Sequence, residues 1–423
     1  MTVDADAIAD CVLSTFDQLP EKRKPRPRSD GSREWVPLAG IVLSKDGKLS
    51  CVSLGTGMKC LPLTKLSQAQ GNILHDWHAE ILAIRSFNRF LLDHCLDILQ
   101  NPNSPSPWLQ ASPPEEQASP SRSQESPLGT HPQHNPPFTI RPNVKIHMYC
   151  SEAPCGDASM ELTMNLQEDA TPWSTPAPTS SPNPSISPNS TPTALRGRSN
   201  FSHLGIVRHK PSRPDAPPTL SKSCTDKLCL TQATSLLSSV TALFVAPGNA
   251  YIDTLVLPSS QYVPTACERA FTRAGRMRGL EDSVVEKWRG GYGWKAFEVK
   301  GTEREFKHSR RSIGPGEKAI PSNISAVWTP GFQESVIGGV LQGRKQLDPR
   351  GASAICKRGM WGVGVRLAGL VGGEVLRRVL GARTYGEMKA CGVFDARRRV
   401  KGDVIDKGLR GWVRNTRDGD WER

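Results

Sequence analysis

No run of apolar residues in this 423-residue chain is long enough to cross a membrane, and no secretory signal pattern opens it. The eleven cysteines fall at irregular spacing, so a disulfide framework is not expected and a reducing intracellular compartment, cytoplasm or nucleus, is. Acid is short relative to base. The 41 Asp and Glu against 54 Lys and Arg leave a net charge of +13, which suits a phosphate-rich partner but is by itself unspecific.

What is present points to chemistry. His78-Ala79-Glu80 is followed by Pro154-Cys155-Gly156, an imidazole and a thiol of the kind that hold Zn²⁺. A zinc ion with three protein ligands keeps a fourth position for water and lowers that water's pKa towards neutrality. Glu80 lies too close to His78 along the backbone to ligate the same metal comfortably, which leaves it as the proton carrier of a hydrolytic base deaminase. Alone, His-Ala-Glu is more often an ordinary helix start, and Pro-Cys-Gly more often marks an inert buried cysteine. The ordered conjunction favours the metal reading.

Local patterns place these residues. Ile81, Leu82, Ile84, Phe87, Phe90 and Leu91 recur at helical spacing, so His78 and Glu80 are expected in the first turn of a buried helix with Asp76 as N-cap. Residues 144–150 alternate like a strand. Pro154 then predicts a helix start, with Cys155 at its positive end where the dipole favours thiolate. The third ligand is open by spacing. The free-nucleoside pattern puts a cysteine three residues after the first, where this chain has Ala158, and Cys11, Cys51, Cys60, Cys95, Cys150, Cys224, Cys229, Cys267, Cys356 and Cys391 all remain.

Five separated segments carry a resemblance: Leu54-Gly55-Thr56-Gly57-Met58-Lys59-Cys60, His75-Asp76-Trp77-His78-Ala79-Glu80, Ala153-Pro154-Cys155-Gly156-Asp157-Ala158, Ser223-Cys224-Thr225-Asp226-Lys227-Leu228 and Val327-Trp328-Thr329. In that order they resemble the deaminase domain of the adenosine deaminases that act on RNA, the A-to-I editases, and most of all their tRNA-acting branch. The resemblance implies Cys224 as third zinc ligand and conversion of adenosine to inosine beside the anticodon, above all in alanine tRNA. It also implies a buried inositol hexakisphosphate held by Arg85, Lys227, Lys357, Tyr385, Lys389 and Trp412, although Ile84 and His75 stand where duplex editors have arginine and asparagine. Lys59 matches a position that contacts RNA backbone in the family. Arg208, Lys210 and Arg213, just ahead of Cys224, are RNA candidates by charge. Only about 35 residues precede the first predicted strand, too few for a double-stranded-RNA-binding domain, and the stretch before Cys224 lacks the glutamate that duplex editors insert into the helix.

The expected organisation is an N-terminal helix and basic arm over 1–34 and one catalytic domain over 35–423. The arm's Lys22-Arg23-Lys24-Pro25-Arg26-Pro27-Arg28 suits either RNA contact or nuclear import, or is a solvated basic tail. Residues 101–137 and 170–200 are rich in Pro, Ser, Thr and Asn and read as flexible inserts. Strands are expected over 35–42 and 49–54, joined at Asp46-Gly47, and again near 242–245 and 251–257, with C-terminal helices over 263–273, 351–367 and 397–412. That order suits an α/β, cytidine-deaminase-like three-layer fold, a mixed sheet between helices with a helical C-terminal extension. A monomer is expected. A cytosine or free-nucleoside deaminase, a non-catalytic RNA-binding relative and a structural zinc module with Cys60 or Cys150 as fourth ligand are the competing readings.

Overall fold

The computed structural model describes residues 3–113, 134–165, 203–210, 216–314, 316–415 and 418–423, and the backbone of 195–196. Its centre is an eight-stranded mixed sheet. In chain order the strands are β1 (Leu38–Lys45), β2 (Lys48–Thr56), β3 (Lys145–Cys150), β4 (Thr254–Pro258), β5 (Glu298–Thr302), β6 (Ser325–Thr329), β7 (Phe332–Ile337) and β8 (Val340–Leu341). Across the sheet the order is β5-β4-β3-β1-β2-β6-β7-β8. The β3-β4-β5 end is parallel and the rest antiparallel, with β1 and β2 joined at Asp46-Gly47 as the sequence predicts.

Side-chain alternation divides the core into two layers. Ala39, Ile41 and Leu43 of β1 face one way, towards Ala79, Ala83, Phe87 and Leu91 of helix α2 (Ala79–Gln100). Leu38 and Val42 face the other way, towards Ile8, Val12 and Phe16 of helix α1 (Ala5–Asp17). Period-2 strands packed against period-3.6 helices on both faces give the three layers expected. Gly55 explains how closely α2 approaches β2. A Cβ there would lie 2.5 Å from Leu82 Cβ and 2.8 Å from the Ala79 carbonyl, so the motif glycine lets the start of α2 sit against the strand that leads to Lys59.

The C-terminal extension is helical as expected, with helices Pro264–Phe271, Lys357–Val371 and Asp395–Lys407. Other expectations need correction. Around 242–245 the chain forms a 3₁₀ turn, Thr241–Leu243, and a two-residue strand, Val245–Ala246. The supposed insert 101–137 is ordered at both ends. Leu109–Ala111 pairs with Phe138–Ile140, because Leu109, Phe138 and Ile140 are buried anchors that a composition average conceals. Residues 114–133 lie outside the described residues, as does 170–200 apart from strand Leu195–Arg196. Among the described residues no helix is long and apolar enough to cross a membrane.

Candidate active site

Three backbone devices converge beside the sheet. Strand Met58–Cys60 pairs antiparallel with Asp76–His78, so Lys59 lies opposite Trp77 and Met58 opposite His78. His78 occupies the N-cap position of α2. Asp76 is therefore not the N-cap. It lies in the preceding strand, and its Oδ1 accepts from the His78 amide at 3.0 Å. Cys155 likewise sits ahead of a 3₁₀ turn, Asp157–Ser159, that leads only into a six-residue helix. The helix start that serves the thiols is that of Cys224–Thr234, where Ser223 caps the Asp226 amide and Cys224 is the first residue. Gly156, with φ 112°, lets the two loops touch, since a Cβ there would lie 2.3 Å from Ser223 Oγ.

His78, Cys155 and Cys224 offer one nitrogen and two sulfurs, all within 4.8 Å of one another. His78 Nδ1 lies 3.8 Å from Cys155 Sγ. A tetrahedral zinc with Zn–S of about 2.3 Å and Zn–N of about 2.0 Å implies an edge of about 3.6 Å, close to the His78–Cys155 separation. Cys60 belongs to a different group, with Asp76 and His78, and Asp76 is already committed to other partners. Cys150 is in neither group. Among the described residues the His78-Cys155-Cys224 set thus has no fourth protein ligand, the arrangement of a catalytic rather than a structural site.

The electrostatics suit the same ion. The hydrogen bond from the Cys224 thiol, and then Lys210 and His78, hold Cys155 well below the usual thiol range against the opposing effect of burial. The Cys224 amide also donates to Cys155 Sγ at 3.3 Å. Glu80 is 6 % exposed, and burial first, then the Cys155 thiolate, raise its carboxyl above the ordinary carboxylate range. That is the direction a proton shuttle needs.

Lys210 and Arg208 do not face outwards as their charge suggested. Lys210 is 4 % exposed, and its Nζ donates to Asp76 Oδ2 at 2.8 Å and to Cys224 Sγ at 3.2 Å. Arg208 is 1 % exposed, its guanidinium donating to the His203 carbonyl at 2.7 Å. Both serve the scaffold of the site. Arg213 lies outside the described residues, and Lys59, half-buried, donates to Asn323 Oδ1. Replacing Lys210 by Met is expected to weaken metal retention about tenfold to a hundredfold, because a thiolate ligand loses the donor that orients it. Competition with a chelator checks this, and unchanged retention contradicts it.

Asp76 connects this site to a second one. Its Oδ2 also accepts from Ser221 Oγ at 2.8 Å and from Lys227 Nζ. Around Lys227 the fold gathers cations. Lys357 and Lys389 lie over the Tyr385 ring at 5.6 and 5.8 Å, and Lys222 and Lys401 lie over the Trp412 ring at 5.4 Å each. Desolvation, reinforced by neighbouring cations, lowers Lys222, Lys389 and Lys401 to about 8. Lys389 is itself exposed to water on its side of the Tyr385 ring. Asp418 pairs with Lys357 at 2.6 Å and lies 2.8 Å from His75 Nε2. The sequence reading missed Lys222, Lys401 and Asp418. Only the position of Lys222, two residues before Cys224, hinted at a role.

Comparison with known proteins agrees with this geometry. The model of the adenosine-deaminase (editase) domain matches residues 53–416. The tRNA-specific adenosine deaminase 1 of Schizosaccharomyces pombe is 36% identical over 360 residues, 84% of this chain and 83% of that protein. Its namesake from Saccharomyces cerevisiae is 34% identical over 260 residues, 60% of this chain and 58% of that one. The double-stranded RNA-specific editase B2 of Rattus norvegicus is 32% identical over 136 residues, 30% of this chain and 16% of that one. With a match that covers the three metal donors, Glu80 and most of the sheet, the chain belongs to the adenosine-deaminase (editase) domain family.

Proposed function

We propose that this protein deaminates adenosine to inosine in tRNA, using zinc held by His78, Cys155 and Cys224, with alanine tRNA as the substrate and the adenosine 3′ of the anticodon as the target. The observation that carries it is a three-donor site with the buried carboxyl of Glu80 beside it, in a chain similar over most of its length to a tRNA-specific deaminase. Zinc, when bound, supplies Lewis acidity that makes water a nucleophile near neutral pH. Glu80 accepts the proton of that water and delivers it to N1 of the adenine, so that charge does not build up on the ring during attack at C6. The same carboxyl then hands a proton to the departing amine. Lys210 keeps Cys224 aligned, and Asp76 keeps Lys210 protonated against the burial that would otherwise lower it. Treating total tRNA with the protein and mapping A-to-inosine changes tests this, with modification of free adenosine but not tRNA as the contrary outcome.

The recess beneath the site supports inositol hexakisphosphate as a structural ligand. Arg85, Lys227, Lys357, Tyr385, Lys389 and Trp412 gather there with Lys222 and Lys401, and Arg85 with Lys357, and Lys389 with Lys401, repel one another without a polyanion. Denatured protein is then expected to release bound phosphorus. The pH dependence follows by linkage. A lysine lowered from 10.5 to about 8 is protonated in the unfolded chain but neutral in the fold between those values, so protein freed of phosphate gains stability as pH rises through that window. Added inositol hexakisphosphate is expected to raise the melting temperature strongly at pH 7 and weakly at pH 10. Equal shifts at both pH values contradict a role for these lysines.

A further inference from the structure

The basic run of the N-terminal arm is not a loose tail. Lys24 is 7 % exposed, its Nζ donating to the Asp17 carbonyl and to Glu21 Oε1 at 2.9 Å each. Arg23 donates to the Gln333 carbonyl of β7 at 2.7 Å. Beyond Pro25 the chain turns back on itself. Pro27 bridges Arg33, the Arg28 amide donates to the Ser32 carbonyl at 3.1 Å, and Asp30 Oδ1 accepts from both the amide and the hydroxyl of Ser32. Strand Arg33–Trp35 then pairs in parallel with Ala319–Pro321.

This hairpin is wired to the rim of the active site. Arg28 donates to Glu34 Oε1 at 2.8 Å, Glu34 Oε2 accepts from Ser322 Oγ at 2.8 Å, and the neighbouring Asn323 accepts from Lys59. Lys59 in turn is paired across from Trp77, next to the metal donor His78. Lys22, Arg26 and Lys318 remain exposed along the way. Use of the run for nuclear import needs an extended, accessible peptide, and the burial of Lys24 with the tethering of Arg23 stands against that.

We infer that the hairpin, through Lys22, Arg26 and Lys318 in continuity with Lys59, is a rigid phosphate-binding strip that docks the RNA backbone flanking the target adenosine. The inference rests on the reading of RNA as substrate. Cations carried on a backbone that is already pinned bind phosphates without first ordering the chain, and their contribution appears as salt dependence rather than base preference.

The test compares wild type with the triple variant Lys22→Gln, Arg26→Gln, Lys318→Gln, using a fluorescent anticodon stem-loop RNA across a salt series. Three lost contacts at about 0.7 each are expected to flatten the slope of log affinity against log salt by about 2, with at least a tenfold loss of affinity at low salt. The rate at saturating RNA is expected to stay unchanged. Lys48→Gln with Lys145→Gln, at the opposite ends of their strands, serves as a control that removes two remote charges and should leave the slope nearly intact. An unchanged slope in the triple variant, an equal loss in the control, or loss of nuclear accumulation with normal RNA affinity overturns the strip. Because binding is read without turnover, a wild type that binds RNA through the strip but forms no inosine sinks the deaminase reading and leaves this one standing.

Discussion

Glu80→Gln is expected to retain a full complement of zinc and to lose about 10³-fold or more in single-turnover deamination. Glutamine preserves the size and burial of the side chain but can neither take the water proton nor return it to N1 and the amine. General acid–base terms of this kind are worth about 10² to 10⁴ each, and here one residue serves several transfers. Its place in the first turn of α2, 6 % exposed, argues that the swap disturbs packing little, whereas a deeper substitution such as Glu80→Ala opens a cavity and confuses the result. Zinc content and inosine yield, measured on the same preparation, separate the chemistry from the fold. Activity within tenfold of wild type removes Glu80 from its role.

The second large effect is on stability. Asp226 is fully buried, its Oδ1 accepting from Arg276 Nη1 at 2.6 Å, and its Oδ2 from the Arg208 amide at 3.0 Å and Ser223 Oγ at 2.6 Å. Asp226→Ala leaves the buried Arg276 guanidinium without its counter-charge and unties the residue that caps the Cys224 helix. Breaking a buried pair from one side costs about 3–5 kcal/mol, and replacing both members with apolar residues costs far less. Urea denaturation of Asp226→Ala, and of Asp226→Leu combined with Arg276→Met, tests this: the single variant is expected to fall by that amount and to lose metal readily, and the double variant to recover most of the stability. A loss below about 1 kcal/mol in the single variant contradicts the account.

Periodicity made β1 to β4, α1 and α2 legible, because their spacing records the faces they bury, whereas β5 to β8 carried no expected strand. His78, Glu80 and Cys155 were legible as types at telling spacings. Cys224 was not. It stands 69 residues from Cys155, and its thiol reaches the site through the fold rather than through any local period, so only resemblance singled it out. Lys210 and Arg208 misled for the opposite reason: charge is read as exposure, yet Lys210 is held inside by the Cys224 thiol and by Asp76, the latter 134 residues away along the chain and invisible to composition. Leu109 was hidden in the same way inside a Pro- and Ser-rich stretch. The recess was partly legible. Lys222 and Lys401 surround Trp412 from segments with no common motif, and only the closed fold shows that so many cations share one space.

The central claim is that one imidazole and two thiolates hold a single zinc ion with a place left for water. X-ray absorption at the zinc edge on purified protein tests it most directly. The expected result is one zinc per chain with two sulfurs at about 2.3 Å and two lighter atoms at about 2.0 Å, one from His78 and one from solvent, and with one sulfur lost in Cys224→Ala but none in Cys60→Ala. A shell of three sulfurs, or one unchanged by Cys224→Ala, contradicts it.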